Sequence, residues 1–384
     1  INLISANLQS KRKNLHPIIP LAFFGTLLVF LGIWIGSQVH SKNNTLASLD
    51  SQLQEIKGEV LNLEKIDTDR IWVIWGAGIW GLETFQNEIL NFASGDGTPR
   101  FNPFFIPKMF VDIAPGYISM KYGFMGPNYT TVSACASSAN ALVDSLNYIR
   151  LGYCDVIVSG GSEAGVNITG MAGFNAMHAL STRNDSPETA SRPFDSTRDG
   201  FVLGEGAGVL VLESQTSMEA RGAEPIAEMI GYGATADAYH ITQPGPEGEG
   251  GARAMNMALS KAKIVPEEID YINAHGTSTP LNDKFETMAM KSVFGEHAYN
   301  IPISSTKSMT GHLLGASGAL EAAITVMAIK NQTVPPTINL KNEDPDCDLN
   351  YTPGAPKQSA IGTAMSNSFG FGGHNASLIF QNLS

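Results

Sequence analysis

The sequence predicts an α/β fold over most of its 384 residues, and three observations predict it. Short apolar runs of strand length alternate with longer stretches of helical character. Several of these junctions are strand-to-helix turns built from Gly, Ala, Ser and Thr. The composition, 43% hydrophobic and 16% charged with 39 glycines, suits sheets packed closely against helices.

In chain order, Ile71-Trp72-Val73-Ile74-Trp75 is a buried strand running into the glycine turn Gly76-Ala77-Gly78. Thr131-Val132-Ser133 ends a second strand, and a helix is predicted from Ala136 onward, which leaves Cys135 on the turn between them. Val156–Gly161 and Gly208–Leu212 complete the strands of a first half. Ile226–Tyr232, Ile269–Asn273 and Ser377–Phe380 belong to a second, with a close-packing helix start at Gly315-Ala316-Ser317-Gly318-Ala319. The boundaries expected are 67–212 and 213–384.

The first 66 residues read differently. Lys11-Arg12-Lys13 precede an uncharged stretch, Ile18 to Gly36, whose 19 residues at about 1.5 Å each just cross a hydrocarbon core. A membrane anchor is therefore expected over 1–40, with the basic cluster retained in the cytoplasm. Leu46, Leu49, Leu53, Ile56, Val60 and Leu63 alternate in steps of three and four, which predicts a short coiled coil over 41–66. A signal peptide is the rival reading, against which stand the length of the run and the lack of a small-x-small cleavage site, and a buried core strand and helix is a second.

Three motifs carry chemistry. Cys135 lies in Ser133-Ala134-Cys135-Ala136-Ser137-Ser138, His275 in Asn273-Ala274-His275-Gly276-Thr277, and His312 in Gly311-His312-Leu313-Leu314-Gly315. A thiol attacks as thiolate, and a helix N-terminus lowers its pKa while offering backbone N–H groups to an oxyanion. His275 follows a strand end, where function concentrates in α/β folds. Read singly, each has a bland counterpart: a buried structural cysteine, and histidines that merely pack. Cys154 and Cys347 lack a comparable setting. No ligand set at metal spacing surrounds either histidine. The net charge of −12 argues against nucleic acid. Gly76-Ala77-Gly78-Ile79-Trp80-Gly81 fits G-x-G-x-x-G, but no acidic residue follows at the place a dinucleotide needs, so no cofactor is expected.

From about Asp67 onward the chain resembles the β-ketoacyl-acyl carrier protein synthases of the elongating Cys-His-His type. The resemblance rests on Gly126-Pro127, Ala179–Asp185, Ser191-Arg192-Pro193-Phe194-Asp195, Arg198–Gly208, both histidine motifs and Asn367–Gly373, in that order. It implies a thiolase-like fold of duplicated βαβαβαββ layers with the first half truncated. It also implies fatty acid (or polyketide) elongation by decarboxylative condensation. Cys135 would carry the acyl group, and His275 and His312 would polarise the malonyl thioester. Lys307 and Glu321 would support the site, while Phe371 would gate it and share an oxyanion hole with Cys135.

Acyl carrier protein is the implied partner, with Arg100 and Lys108 as docking candidates. A homodimer formed by edge-to-edge sheet pairing and a cytoplasmic location are implied too. The stretch Met171–His178 is a candidate lining for an acyl tunnel, with ordinary core as the alternative.

Family members begin with a strand and about a hundred residues of helices that find no counterpart here. The loss is expected to open a gap in the middle of the first sheet, and Trp72 and Trp80 stand where the family has small residues. Three arrangements follow: a foreign segment joined to a truncated synthase, a membrane-tethered condensing enzyme, or a non-catalytic binding module.

Overall fold

The computed structural model describes residues 66–383. The predicted anchor over 1–40 and every predicted heptad position from Leu46 to Leu63 lie outside the described residues. No described helix is long and apolar enough to cross a membrane.

The strands are β1 (Ile71–Gly76), β2 (Asn128–Thr131), β3 (Val156–Glu163), β4 (Gly206–Glu213), β5 (Glu228–Ala236), β6 (Tyr271–Asn273), β7 (Ile303–Ser304), β8 (Thr333–Val334), β9 (Lys357–Gln358), β10 (Thr363–Gly370) and β11 (His374–Gln381). The helices are α1 (Leu82–Ser94), α2 (Phe105–Met109), α3 (Ile113–Tyr122), α4 (Ser137–Arg150), α5 (Ile168–Ala176), α6 (Gln215–Arg221), α7 (Glu249–Ala262), α8 (Pro280–Phe294), α9 (Lys307–Thr310) and α10 (Ser317–Asn331). One sheet runs β2-β1-β3-β4 and the other β5-β11-β10-β6-β7, with β8 and β9 forming a small ribbon.

Helices α4 and α10 pack against each other between the two sheets, with α3 outside the first sheet and α7 outside the second. A sheet covered on both faces has no solvent side, so its strands read as continuous apolar runs. Every residue of β3 is buried accordingly. The central layer joins Leu142 and Ala139 of α4 to Ile329 of α10, Tyr271 of β6 and Leu378 of β11. Each fully buried Leu or Ile there contributes about 1.5–3 kcal/mol. Glycine sets how closely the layers approach: a Cβ on Gly76 would lie 2.3 Å from Ser138 Cα.

The sheets repeat one another. Pairings β2/β1 and β1/β3 are parallel and β3/β4 antiparallel. In the second sheet β7/β6 and β6/β10 are parallel and β10/β11 antiparallel, with β5 added antiparallel outside β11. Each repeat enters its central helix through one 3-10 turn, Ala134–Ala136 before α4 and Leu314–Ala316 before α10. Both turns open on a left-handed residue, φ 51° at Ala134 and 48° at Leu314. In each, a helix-start serine accepts the N–H four residues earlier: Ser137 from Ser133 at 2.9 Å and Ser317 from Leu313 at 3.0 Å. Cys135 and Gly315 are therefore equivalent positions.

This topology corrects one expectation. The first sheet has no gap in its middle, because β1 pairs with β3 along its whole length. The position with no counterpart among the described residues is outside β4, where the second sheet carries β5. Trp72 is accommodated by resting on Tyr148, ring centroids 4.9 Å apart. Trp75 is buried, and its Nε1 donates to Ser162 Oγ at 2.9 Å.

Candidate active site

Cys135 comes from the first repeat, and His275, Lys307, His312 and Glu321 come from the second. His275 follows the end of β6, Lys307 opens α9, His312 lies on the segment leading into α10, and Glu321 is on α10 itself. All five are buried. His312 Nε2 lies 3.0 Å from Cys135 Sγ, across 177 residues of sequence. The two imidazoles meet edge to face, ring centroids 5.3 Å apart. Lys307 Nζ is 3.4 Å from His275 Nδ1 and forms an ion pair with Glu321 Oε1.

Hydrogen bonding constrains the protons. An ammonium only donates, so His275 Nδ1 accepts from Lys307 and its proton resides on Nε2. His312 Nδ1 faces Ser317 Oγ at 3.0 Å. A hydroxyl can donate or accept, so His312 can hold its proton on either nitrogen. The backbone N–H groups of His275 and Gly276 donate to the two carboxylate oxygens of Glu286, both at 2.8 Å, which fixes the turn.

Burial holds the His275 pKa well below 6.5, reinforced by Lys307 and His312. The His312 pKa is likewise lowered by burial and then by Lys307. Both imidazoles are therefore neutral at neutral pH. Burial pushes the Cys135 thiol up to about 12, opposed by the Lys307 charge and the Phe371 N–H. The direction is opposite to the lowering expected from a helix N-terminus, because burial among apolar side chains disfavours the thiolate. The resting group is a thiol in contact with His312 Nε2, which accepts its S–H or donates to its sulfur according to the His312 tautomer. Glu286 and Glu321 are raised to about 7, both by burial.

Phe371 lies on the β10–β11 hairpin turn, half-buried, with its N–H directed at Cys135. Gly370 beside it leaves the hairpin room, since a Cβ there would come within 3.0 Å of Cys135 N and Ser133 O. Around the thiol lie Leu180, Phe201, Leu203 and Leu314, with Phe174 packed against them. Of the Met171–His178 stretch, Phe174 therefore reaches this cluster, whereas Met171 and Met177 are exposed. Arg100 and Lys108 are exposed. Cys154 and Cys347 are buried elsewhere, in other apolar clusters.

Sequence reasoning passed over Ser317, Glu286 and Glu163. Glu163, at the end of β3, accepts N–H groups from the Gly78-Ile79 turn and from Gly315. Those contacts take up the Gly78 and Ile79 N–H groups of the G-x-G-x-x-G turn. No local signal marks Glu163, because its partners lie 85 and 152 residues away.

The model of the β-ketoacyl synthase N-terminal domain matches residues 32–217, and that of the C-terminal domain matches 226–341. The first match begins upstream of Asp67, within the segment assigned to the anchor and coil. The chain is 50% identical over 328 residues to the 3-oxoacyl-[acyl-carrier-protein] synthase 2 of Synechocystis, covering 85% of this chain and 79% of that one. It is 50% identical over 329 residues to the Staphylococcus aureus protein of the same name, with the same coverage. Among solved structures, a β-ketoacyl synthase from Burkholderia phymatum superposes with a TM-score of 0.77 at 39% identity, covering 84% of this chain and 77% of that one. A type II polyketide ketosynthase bound to its acyl-carrier protein superposes with a TM-score of 0.78 at 36% identity, covering 84% and 80%.

Fold and site thus define a condensing enzyme of the thiolase-like class. The chain belongs to the β-ketoacyl synthase family.

Proposed function

We propose that the protein extends an acyl chain by decarboxylative condensation with malonyl-acyl carrier protein, using Cys135, His275 and His312. The observation that carries this reading is the 3.0 Å contact between Cys135 Sγ and His312 Nε2, with His275 set edge-on beside it.

In the first half-reaction His312 Nε2 takes the thiol proton as Sγ attacks the acyl thioester. The carrier thiolate leaves and receives that proton. In the second, the Nε2–H groups of His275 and His312 hold the malonyl thioester oxygen, and the carboxylate departs as carbon dioxide. The enolate carbon attacks the Cys135 acyl group, whose oxyanion lies against the N–H groups of Cys135 and Phe371. Collapse expels the Cys135 thiolate and a β-ketoacyl product two carbons longer, and the thiolate takes up one proton from solvent to restore the resting thiol. Lys307 holds the His275 proton on Nε2, and Glu321 balances the Lys307 charge. Phe371 gates malonyl entry.

The partner in this reading is acyl carrier protein bearing acyl and malonyl groups, with exposed Arg100 and Lys108 among its docking residues. A second copy of the chain would pair along β2, the edge strand of the first sheet, whose residues are exposed or half-buried.

The test is the intact mass of the full chain after incubation with an acyl-carrier thioester. An acyl adduct on the wild type and none on Cys135→Ala is expected. An adduct that survives Cys135→Ala would overturn the assignment.

A further inference from the structure

The fold builds its acylation site twice and uses one copy. The register aligns the end of β1 with the end of β6: Gly76 pairs with Thr131 and Asn273 with Ser304, each the last residue of its strand. Two residues further on, Gly78 corresponds to His275 and Ile79 to Gly276. In the second repeat the His275 and Gly276 N–H groups are held by the buried carboxylate of Glu286. In the first, the Gly78 and Ile79 N–H groups are held by the buried carboxylate of Glu163, at 2.8 and 3.1 Å.

Glu163 makes one contact that Glu286 does not. Its Oε2, already bonded to Gly78, also accepts the N–H of Gly315 at 3.0 Å. Gly315 is the counterpart of Cys135, so this N–H is the counterpart of the one assigned to the oxyanion hole. A carboxylate fills the unused copy. The fit leaves no slack, because a Cβ on Gly315 would fall 2.1 Å from Gly78 N and 2.9 Å from Glu163 Oε2. Gly315 lies three residues after His312, and Ser317, which contacts His312 Nδ1, lies two residues beyond Gly315.

We propose that Glu163 is a positioning residue for His312: one carboxylate oxygen pins the turn carrying Gly315 to the Gly78-Ile79 turn and so fixes Nε2 against the thiol. The inference rests on the reading of Cys135 and His312 as the reacting pair. Glu163 touches no reacting atom and acts through the turn. Releasing the turn lets Nε2 drift, and a displacement of about 1 Å at a reacting group costs on the order of 10²-fold in rate.

The experiment measures Cys135 acylation and steady-state condensation for wild type, Glu163→Gln, Glu163→Ala and Glu163→Asp. Glutamine can place its amide oxygen where Oε2 lies, keeping the Gly78–Gly315 bridge, and should stay within about fivefold of wild type. Alanine removes the bridge and should lower kcat about 10²-fold with KM for the carrier substrate within about twofold. Sodium acetate supplies the four missing heavy atoms and should restore part of that loss, a recovery that a general packing defect would not show. Wild-type kcat in Glu163→Ala, or a loss that acetate leaves untouched and glutamine shares, overturns the proposal. Should the alanine protein fail to fold, Glu163→Asp decides: its carboxylate is withdrawn by one methylene, and undiminished acylation would refute the pin. Absence of a Cys135 adduct in the wild type would sink the reading of the reacting pair, whatever the Glu163 variants do.

Discussion

Replacing Lys307 with methionine separates two roles that coincide in one side chain. Lys307 is 1% exposed, pairs with Glu321 and donates to His275 Nδ1. Removing the ammonium strands the Glu321 carboxylate in the core, and breaking one side of a buried pair costs about 3–5 kcal/mol. Protonation of Glu321 recovers part of this, since burial already places its pKa at about 7 and loss of the cation raises it further. Glu321→Gln in the same chain removes the stranded charge and should return most of the lost stability in urea unfolding. Activity should not return with it, because nothing then fixes the His275 tautomer. Carbon dioxide release from malonyl-carrier protein should remain about 10²- to 10⁴-fold below wild type, the range for loss of a positioned acid–base group. A double variant that regains decarboxylation with its stability would refute the tautomer argument and leave Lys307 as a partner for Glu321 alone.

Gly76→Ala drives a Cβ to 2.3 Å from Ser138 Cα at the start of α4 and should destabilise by about 3 kcal/mol or more in urea unfolding. Alkylation of Cys135 by iodoacetamide should climb roughly tenfold per pH unit from pH 6 to 9, as a thiol raised to about 12 requires. A plateau within that range would indicate a preformed thiolate–imidazolium pair. His312→Asn isolates one linkage. The folded-state pKa of His312 is depressed, so its contribution is intact above the unfolded value of about 6.5 and is lost as pH falls below it. The wild type should therefore lose about 1.4 kcal/mol per pH unit relative to the variant below pH 6.5, measured by paired urea titrations.

Much of the site was legible because its cues are local. Small residues around Cys135 mark a tight strand-to-helix turn, and His275 announces itself by following an apolar strand. The repeat was illegible: Ala134–Ser138 and Leu314–Gly318 share few side chains, although they share a left-handed opening residue and a helix-start serine that accepts the N–H four residues earlier. Backbone geometry is duplicated where side-chain identity is not, so no comparison of residue types exposes it. The thiol pKa was misjudged for a related reason. Helix position can be read from sequence, but the burial that dominates it comes from Leu180, Phe201, Leu203 and Leu314, brought in from distant segments.

The α/β class, the strand-to-helix turns and the candidate thiol and imidazoles are readable from residue types within a few positions of each. Tertiary packing alone decided the strand order, in which no described strand lies outside β4. It also decided the 3.0 Å approach of His312 to Cys135 and the buried carboxylates that hold both turns. Those depend on packing two sheets against one pair of central helices, which brings together groups separated by as many as 177 residues.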